Sequence, residues 1–93
     1  MKLPVDYTKI SQPERRKVRL AYIELQKNRC AFCQEPLDGK PSQDVLNKPI
    51  SSKMFPVGFL LHPIHLHHNH KTGMTIGAVH ARCNAVSFQY HGE

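Results

Sequence analysis

The pattern of apolar and polar positions predicts a β-hairpin in residues 64–80. Within residues 64–67 (Ile-His-Leu-His) apolar and imidazole side chains alternate, the period of two that places alternate side chains on opposite faces of a strand. Residues 69–73 (Asn-His-Lys-Thr-Gly) are typical of a turn, and residues 74–79 are apolar and partly β-branched. We therefore predict one strand on each side of this turn.

A helix that begins at Ser11 is predicted ahead of the hairpin. Ser11 and Glu14 have the spacing of a capping box, and Pro13 lies in the first turn, where its missing N–H costs little. Apolar residues then recur at the i, i+3, i+4 and i+7 positions of one helix face, and the helix should end at Asn28 and Arg29. The apolar face consists of Val18, Ala21, Tyr22 and Leu25.

A second, shorter helix is predicted after the hairpin, because Cys83, Val86 and Tyr90 follow His80 at helical intervals. Residues 1–10 have weak local preferences and are predicted to form an extended leader. This order of elements predicts an α+β fold.

The segment 41–59 is the least regular part of the chain. Pro, Ser and Gly residues break any long element in it, although residues 43–48 could form one helical turn. Pro63 interrupts the apolar run that follows, so the first regular strand should begin at Ile64. We expect the apolar residues ahead of Pro63 to supply core material, namely Phe55, Val57, Phe59, Leu60 and Leu61.

The chain of 93 residues is long enough for one small core, so we predict a single domain over residues 1–93. Residues 1–29 would form the leader and a basic helix, and residues 30–90 would form the core. A domain of this size buries a modest share of its surface, and we therefore expect a stabilising staple such as a metal ion.

The formal net charge of +6 favours a polyanionic partner. The same charge is also compatible with a merely soluble basic protein. The predicted first helix carries Arg15, Arg16, Lys17 and Arg19 outside its apolar face. These side chains either contact phosphates or form an ordinary solvated helix face.

The three cysteines cannot all pair in disulfides. The start of the chain has no secretory apolar segment, and no apolar run reaches the length of a membrane span. We therefore expect a cytoplasmic protein with no membrane partner.

Four residues have the spacing of a structural zinc site. Cys30 and Cys33 form a Cys-x-x-Cys pair ahead of a turn, and His80 and Cys83 repeat the same spacing. A redox dithiol would need a βαβ context that the pattern lacks. Buried structural cysteines would not explain why a third cysteine lies beside a histidine at the same spacing.

The histidine-rich tract carries the most specific chemical signal. Five of the seven histidines fall between His62 and His70, and such a tract first indicates metal binding. Residues 66–70 (Leu-His-His-Asn-His), 71–73 (Lys-Thr-Gly) and 80–84 (His-Ala-Arg-Cys-Asn), in this order, resemble the HNH (His-Me finger, ββα-metal) nucleases. Within that family they resemble the phage recombination endonuclease VII-like branch.

Two positions depart from the pattern of that family. His67 stands where the relatives have Asp, and His80 stands where they have the first Cys of the second pair. The resemblance covers about residues 30–90, with a poorly matched middle.

The resemblance implies a small ββα-metal domain with an N-terminal helix and a structural zinc site. It also implies a divalent-metal-dependent DNA endonuclease that hydrolyses phosphodiester bonds. In the family's pattern His68 is the general base, and His67 and Asn84 hold the catalytic cation. His70 would contact phosphate or support these residues, and we expect a core or supporting role for His65.

The imidazole at His67 changes the expected metal preference. A carboxylate with amide and water oxygens suits Mg²⁺, whereas imidazole is a borderline ligand. We therefore expect Mn²⁺, or Co²⁺ or Ni²⁺, to be preferred over Mg²⁺ at the catalytic site, with Zn²⁺ at the structural site.

Binding of DNA is expected to be mainly electrostatic, by a monomer or a homodimer. One base and one catalytic metal per chain predict nicking of one strand at a time. Without an appended DNA-reading motif the sequence specificity should be low, and we expect a bacterial or phage-encoded protein. The candidate phosphate contacts are Arg15, Arg16, Arg19, Lys71 and Arg82.

Other functions are compatible with parts of this pattern. A non-catalytic zinc module that binds nucleic acid would use the same zinc ligands and charge. A second structural zinc site made of histidines is less compatible, because adjacent His67 and His68 on a strand should point to opposite faces. A zinc deaminase would need His-x-Glu and Pro-Cys-x-x-Cys motifs, which the sequence lacks.

Overall fold

An antiparallel β-hairpin and the helix that follows it lie at the centre of the structure. The computed structural model describes residues 2–92; Met1 and Glu93, the ends of the predicted domain, lie outside the described residues. The predicted α+β class, first helix, hairpin and final helix are confirmed. In chain order the elements are a 3₁₀ turn at Tyr7–Lys9, helices α1 at Gln12–Leu25, α2 at Gln43–Leu46 and α3 at Val57–Leu60, strands β1 at Ile64–His68 and β2 at Thr75–His80, and helix α4 at Ala81–His91.

The two strands pair over their whole length, with one irregularity at the end of β1. His67 pairs with Gly77 whereas His68 pairs with Thr75, which leaves one extra residue on β2. Such a bulge bends the strand and changes the direction of the neighbouring side chains. It occurs here between the two histidines that the sequence singled out.

The N-terminal segment pairs with the hairpin and is not the extended leader that was predicted. Thr75 N–H donates to the carbonyl of Val5 at 2.9 Å, and Tyr7 N–H donates to the carbonyl of Gly73 at 2.8 Å. Gly73 has a φ of +79°, and a Cβ there would lie 2.8 Å from Asp6 Oδ1, so this close approach requires glycine. These contacts join residues far apart in the chain, and local preferences therefore do not reveal them.

Helix α1 begins as predicted with the capping box of Ser11 and Glu14. It ends at Leu25, earlier than expected, because Lys27 and Asn28 adopt positive φ angles of 53° and 61°.

The core-facing side of α1 is shorter than the predicted apolar face. Val18 and Tyr22 are buried against the sheet, and the Tyr22 hydroxyl lies 2.8 Å from Thr75 Oγ1. Leu25, by contrast, is 69% exposed. Because Leu25 is the last helical residue, the chain turns away before this side chain can reach the core.

The apolar run ahead of β1 supplies much less core than predicted. Phe55 is buried, but Val57 and Leu61 are 79% and 72% exposed. The reason is that Val57–Leu60 forms the short helix α3, whose turn directs consecutive apolar side chains around its axis. The predicted helical turn in residues 43–48 is present as α2. Across residues 2–92, none of the helices has the length and apolar character needed to cross a lipid bilayer.

Candidate metal centre and histidine cleft

Two separate parts of the chain supply the side chains of a candidate metal centre. Cys30 and Cys33 lie in the turn after α1, His80 ends β2, and Cys83 lies in the first turn of α4. The hairpin and α4 therefore provide one half of the group, and the turn after α1 provides the other.

The turn after α1 is attached to the outer edge of β2. Ala31 N–H donates to the carbonyl of Ala78 at 3.0 Å. The side-chain amide of Gln26 donates to the same carbonyl at 2.9 Å and accepts from the Ala78 N–H at 2.9 Å, as a neighbouring strand would. A Cβ on Gly77 would lie 2.8 Å from Gln26 Oε1, so glycine permits this close packing.

The four ligand atoms have separations that fit a zinc ion. The ligand atoms of Cys30, Cys33, His80 and Cys83 all lie within 4.8 Å of one another. His80 Nδ1 is 3.4 Å from Cys33 Sγ and 3.5 Å from Cys83 Sγ. A tetrahedral ion with Zn–S of about 2.3 Å and Zn–N of about 2.0 Å has ligand–ligand edges of about 3.5 Å. The group could therefore hold a structural metal such as zinc.

Hydrogen bonds around the group orient its ligands. His80 Nε2–H donates to the carbonyl of Pro36 at 2.8 Å, which leaves Nδ1 with its lone pair toward the sulfurs. The backbone N–H of Phe32 donates to Cys30 Sγ at 3.4 Å. Cys30 and Cys83 have no solvent exposure, so the group is closed to water on that side.

The thiols of Cys30 and Cys83 have opposite pKa shifts. Their mutual hydrogen bond lowers the pKa of Cys30 to about 4, and the same hydrogen bond with burial raises the pKa of Cys83. Cys30 is thus the more acidic of the two thiols. A divalent cation would favour the thiolate form of both, as metal binding to cysteines requires.

His67, Asn84 and His65 form a hydrogen-bonded row between β1 and α4. Nδ1–H of His67 donates to Asn84 Oδ1 at 2.9 Å, and the Asn84 Nδ2–H donates to His65 Nδ1 at 3.1 Å. His65 and His67 therefore share one strand face, as their alternation predicted. The His65 ring also packs edge-on against the Phe59 ring, with a centroid separation of 4.7 Å. In this row the oxygen of Asn84 faces His67 and its nitrogen faces His65.

His68 lies beside this row with a half-buried ring. Burial lowers its pKa, as do the neighbouring charges of His70, His67 and Arg15, while a hydrogen bond with the Leu66 backbone acts in the opposite direction. The ring also stacks on Tyr7 with a centroid separation of 4.0 Å and an interplanar angle of 6°. A lowered pKa keeps an imidazole neutral near pH 7, the form that can accept a proton.

A cleft of about 370 Å³ connects His65, His68 and Asn84 to α1, whereas the buried His67 is outside its lining. Its lining includes His68, His70 and Asn84, and on the α1 side it includes Arg15 and Arg19. The His70 ring is 4.9 Å from that of His68. The structure thus brings together imidazoles, an amide and two guanidinium groups around one concave surface.

The other predicted phosphate contacts lie apart from the cleft lining. Arg16 and Lys71 are exposed. Arg82 donates to the carbonyls of Lys48 at 2.8 Å and Val45 at 3.4 Å, and so fixes the end of α2. We therefore assign Arg82 a structural role in place of the predicted phosphate contact.

One residue of the cleft has a role that the sequence did not predict. Tyr7 contacts His68 from the segment predicted as an extended leader, and no local signal identifies it. His65, for which a core or supporting role is expected, accepts a hydrogen bond from Asn84. Pro36, whose carbonyl orients His80, contributes only backbone and so leaves no signal in the pattern of side chains.

Comparisons of the chain with protein-family models, with curated proteins and with solved structures found no match. The interpretation of the site therefore depends on the residues and the geometry described above.

Proposed function

We propose that the protein is a divalent-metal-dependent DNA endonuclease of the HNH (His-Me finger, ββα-metal) type. The observation that carries this proposal is that His68 and Asn84 line one cleft, with Asn84 hydrogen-bonded to His67. Arg15 and Arg19 on the α1 side of the same cleft supply the positive charge that a polyanion needs. A hairpin followed directly by a helix, with these residues on β1 and α4, also supports a ββα-metal site.

His68 would act as the general base. Its half-buried ring lies in the cleft and its pKa is lowered, so a nitrogen can take the proton from the water that attacks the phosphorus. The stacked Tyr7 ring, at a centroid separation of 4.0 Å, restricts the plane of the imidazole. The proton then resides on His68 until it is lost to solvent.

His67 and Asn84 would hold the catalytic cation. A six-coordinate ion with ligand distances of about 2.1 Å places adjacent ligand atoms about 3.0 Å apart. The separation of 2.9 Å between His67 Nδ1 and Asn84 Oδ1 fits this geometry once Nδ1 has lost its proton. When bound, the ion would stabilise the negative charge that develops on the phosphate and on the leaving 3′ oxygen.

The two metal positions would have different tasks. The group of Cys30, Cys33, His80 and Cys83 offers four protein ligands and no open position, which is typical of structural zinc. His67 and Asn84 offer two ligands and leave the remaining positions to water and phosphate. Because one ligand is imidazole, we propose Mn²⁺ in preference to Mg²⁺ at this second position.

A plasmid relaxation assay with an Asn84→Ala variant tests this proposal. The chelator is added at a concentration that leaves one equivalent of zinc bound per chain. It should stop the conversion of supercoiled plasmid to open circles, and added Mn²⁺ should restore this conversion. Asn84→Ala should retain its zinc and its fold but require far more Mn²⁺, since one ligand is lost. Ser87→Ala, a buried change on the same helix, serves as the control with unchanged activity.

A protein that binds DNA and zinc but never cuts plasmid, with any of these ions, would instead be a non-catalytic zinc module. Cutting that continues after full chelation would also contradict the proposal, because it would not depend on a bound cation.

A further inference from the structure

The N-terminal segment holds one aromatic side chain against the ring of His68. Two backbone hydrogen bonds attach this segment to the hairpin, one from Tyr7 N–H to the Gly73 carbonyl at 2.8 Å and one from Thr75 N–H to the Val5 carbonyl at 2.9 Å. Tyr7 begins the 3₁₀ turn, so its backbone is fixed on both sides. Its side chain is therefore a fixed feature of the site.

Three flat groups form a stack at this point. The Tyr7 and His68 rings lie 4.0 Å apart at 6° to each other, and the Arg15 guanidinium carbon lies 3.8 Å from the Tyr7 ring centroid. Two groups cannot occupy the same face of one ring at these distances, so His68 and Arg15 cover opposite faces of Tyr7. Arg15 Nε and Nη2 also donate to the Tyr7 carbonyl at 3.2 Å and 3.0 Å.

The stack restricts the one motion that would misalign His68. An imidazole at a strand end can rotate about its side-chain torsions unless it has a partner that fixes the plane of its ring. Tyr7 fixes this plane, and the His70 ring lies 4.9 Å from that of His68. The His68 ring is then held in the cleft that it lines.

We propose that Tyr7 is a positioning residue for His68 and that Arg15 holds Tyr7 in place. This inference rests on the proposed nuclease function. A general base that is held in its productive orientation raises the rate of the chemical step more than it raises substrate affinity. The flat face of Tyr7 is the property that matters, and its hydroxyl should be dispensable.

Arg15 should accordingly be sensitive to a change that keeps its charge. Lysine would serve equally well as a simple phosphate contact, but it lacks the planar group that covers Tyr7 and the fork that donates twice to one carbonyl. Arg15→Lys should therefore lower kcat. Lys40→Arg, the reverse exchange of cations at an exposed position outside the cleft lining, is the control and should change neither kcat nor KM.

The experiment measures kcat and KM on a short DNA duplex with Mn²⁺ for the unmodified protein and four variants. Tyr7→Phe should behave as the unmodified protein, whereas Tyr7→Leu and Arg15→Lys should lower kcat about tenfold or more and leave KM within about twofold. In parallel, NMR of the unmodified protein and Tyr7→Phe should show His68 ring protons shifted upfield by the stacked ring, a shift that Tyr7→Leu loses.

The outcomes separate this inference from the proposed function. An inactive unmodified protein would refute the nuclease proposal itself. An active protein in which Tyr7→Leu keeps its kcat, or in which Tyr7→Phe is as impaired as Tyr7→Leu, would overturn the positioning role. If Tyr7→Leu does not fold, the positioning role is tested by the kcat of Arg15→Lys and by the His68 ring-proton shifts of the unmodified protein. His68 ring protons without an upfield shift would overturn the inference.

Discussion

At the scale of single residues, Cys83 links the metal centre to the stability of the whole chain. Structural zinc contributes an apparent free energy of about 10–16 kcal/mol, which is as large as the net stability of a typical domain. Cys83→Ser should therefore abolish both zinc binding and the cooperative thermal transition. Zinc content and circular dichroism measure the two effects, and a well-folded, zinc-free Cys83→Ser protein would refute the structural role.

His67 should determine the metal preference of the proposed catalytic site. His67→Asp should improve activity with Mg²⁺ relative to Mn²⁺, since a carboxylate is a hard ligand and adds a negative charge. Titrations of the cleavage rate with both ions measure the shift. His91→Asp, an exposed change at the end of α4, controls for the added charge. Equal activity of the unmodified protein with both ions, unaltered in His67→Asp, would mean that His67 does not bind the ion.

The residues also show how far the sequence could predict this site. The grouping of Cys30, Cys33, His80 and Cys83 followed from their spacing, because each half lies within one local turn. The row from His65 through Asn84 to His67 could be predicted only in part, since strand alternation relates the two histidines but not the helix that packs on them. Tyr7 could not be predicted, because no local pattern relates it to His68.

At the scale of elements, the junction between the turn after α1 and the edge of β2 holds the two halves of the metal centre together. Gly77→Ala should destabilise the protein by about 1–3 kcal/mol, because its Cβ would meet Gln26 Oε1 at 2.8 Å and the Ala31 Cβ at 3.0 Å. Gln26 could move only by giving up its hydrogen bonds with Ala78. Thermal denaturation with a competing chelator should show weaker zinc binding.

Gly58→Ala is the matched control for this change. A Cβ on Gly58 meets nothing within 4 Å, and the residue lies within α3, so alanine should be neutral or slightly stabilising. Equal stability losses in the two variants would show that the tight packing at Gly77 is unimportant.

The elements that the sequence predicted well are those with local signals. The capping box of α1 and the turn of the hairpin are each specified by a few neighbouring residues, and the structure contains both. The apolar run at residues 55–61 was misjudged because hydrophobicity alone does not distinguish a core strand from a short exposed helix. Helix α1 ends early because Lys27 and Asn28 adopt left-handed backbone conformations. Glycine is the usual indicator of such a conformation, and the sequence has no glycine at these positions.

At the scale of the whole molecule, binding of DNA should depend strongly on salt. With Arg82 hydrogen-bonded to the carbonyls of Val45 and Lys48, the remaining candidate phosphate contacts are Arg15, Arg16, Arg19 and Lys71. If these four neutralise phosphates, the log–log slope of the association constant against salt should be about −3 to −4 for duplex DNA. Arg19→Gln should reduce the slope by about one. A slope near zero would leave the net charge of +6 without a role in binding.

The measurement that tests the central claim most directly is the initial rate at which supercoiled plasmid is converted to open circles by His68→Ala. The variant and the unmodified protein are compared at equal zinc content and in saturating Mn²⁺. Because the base is removed while both metal positions remain, the rate should fall by about 10²–10⁴-fold with open circles still the first product. A His68→Ala protein that is zinc-loaded and cuts within about twofold of the unmodified rate would contradict the account.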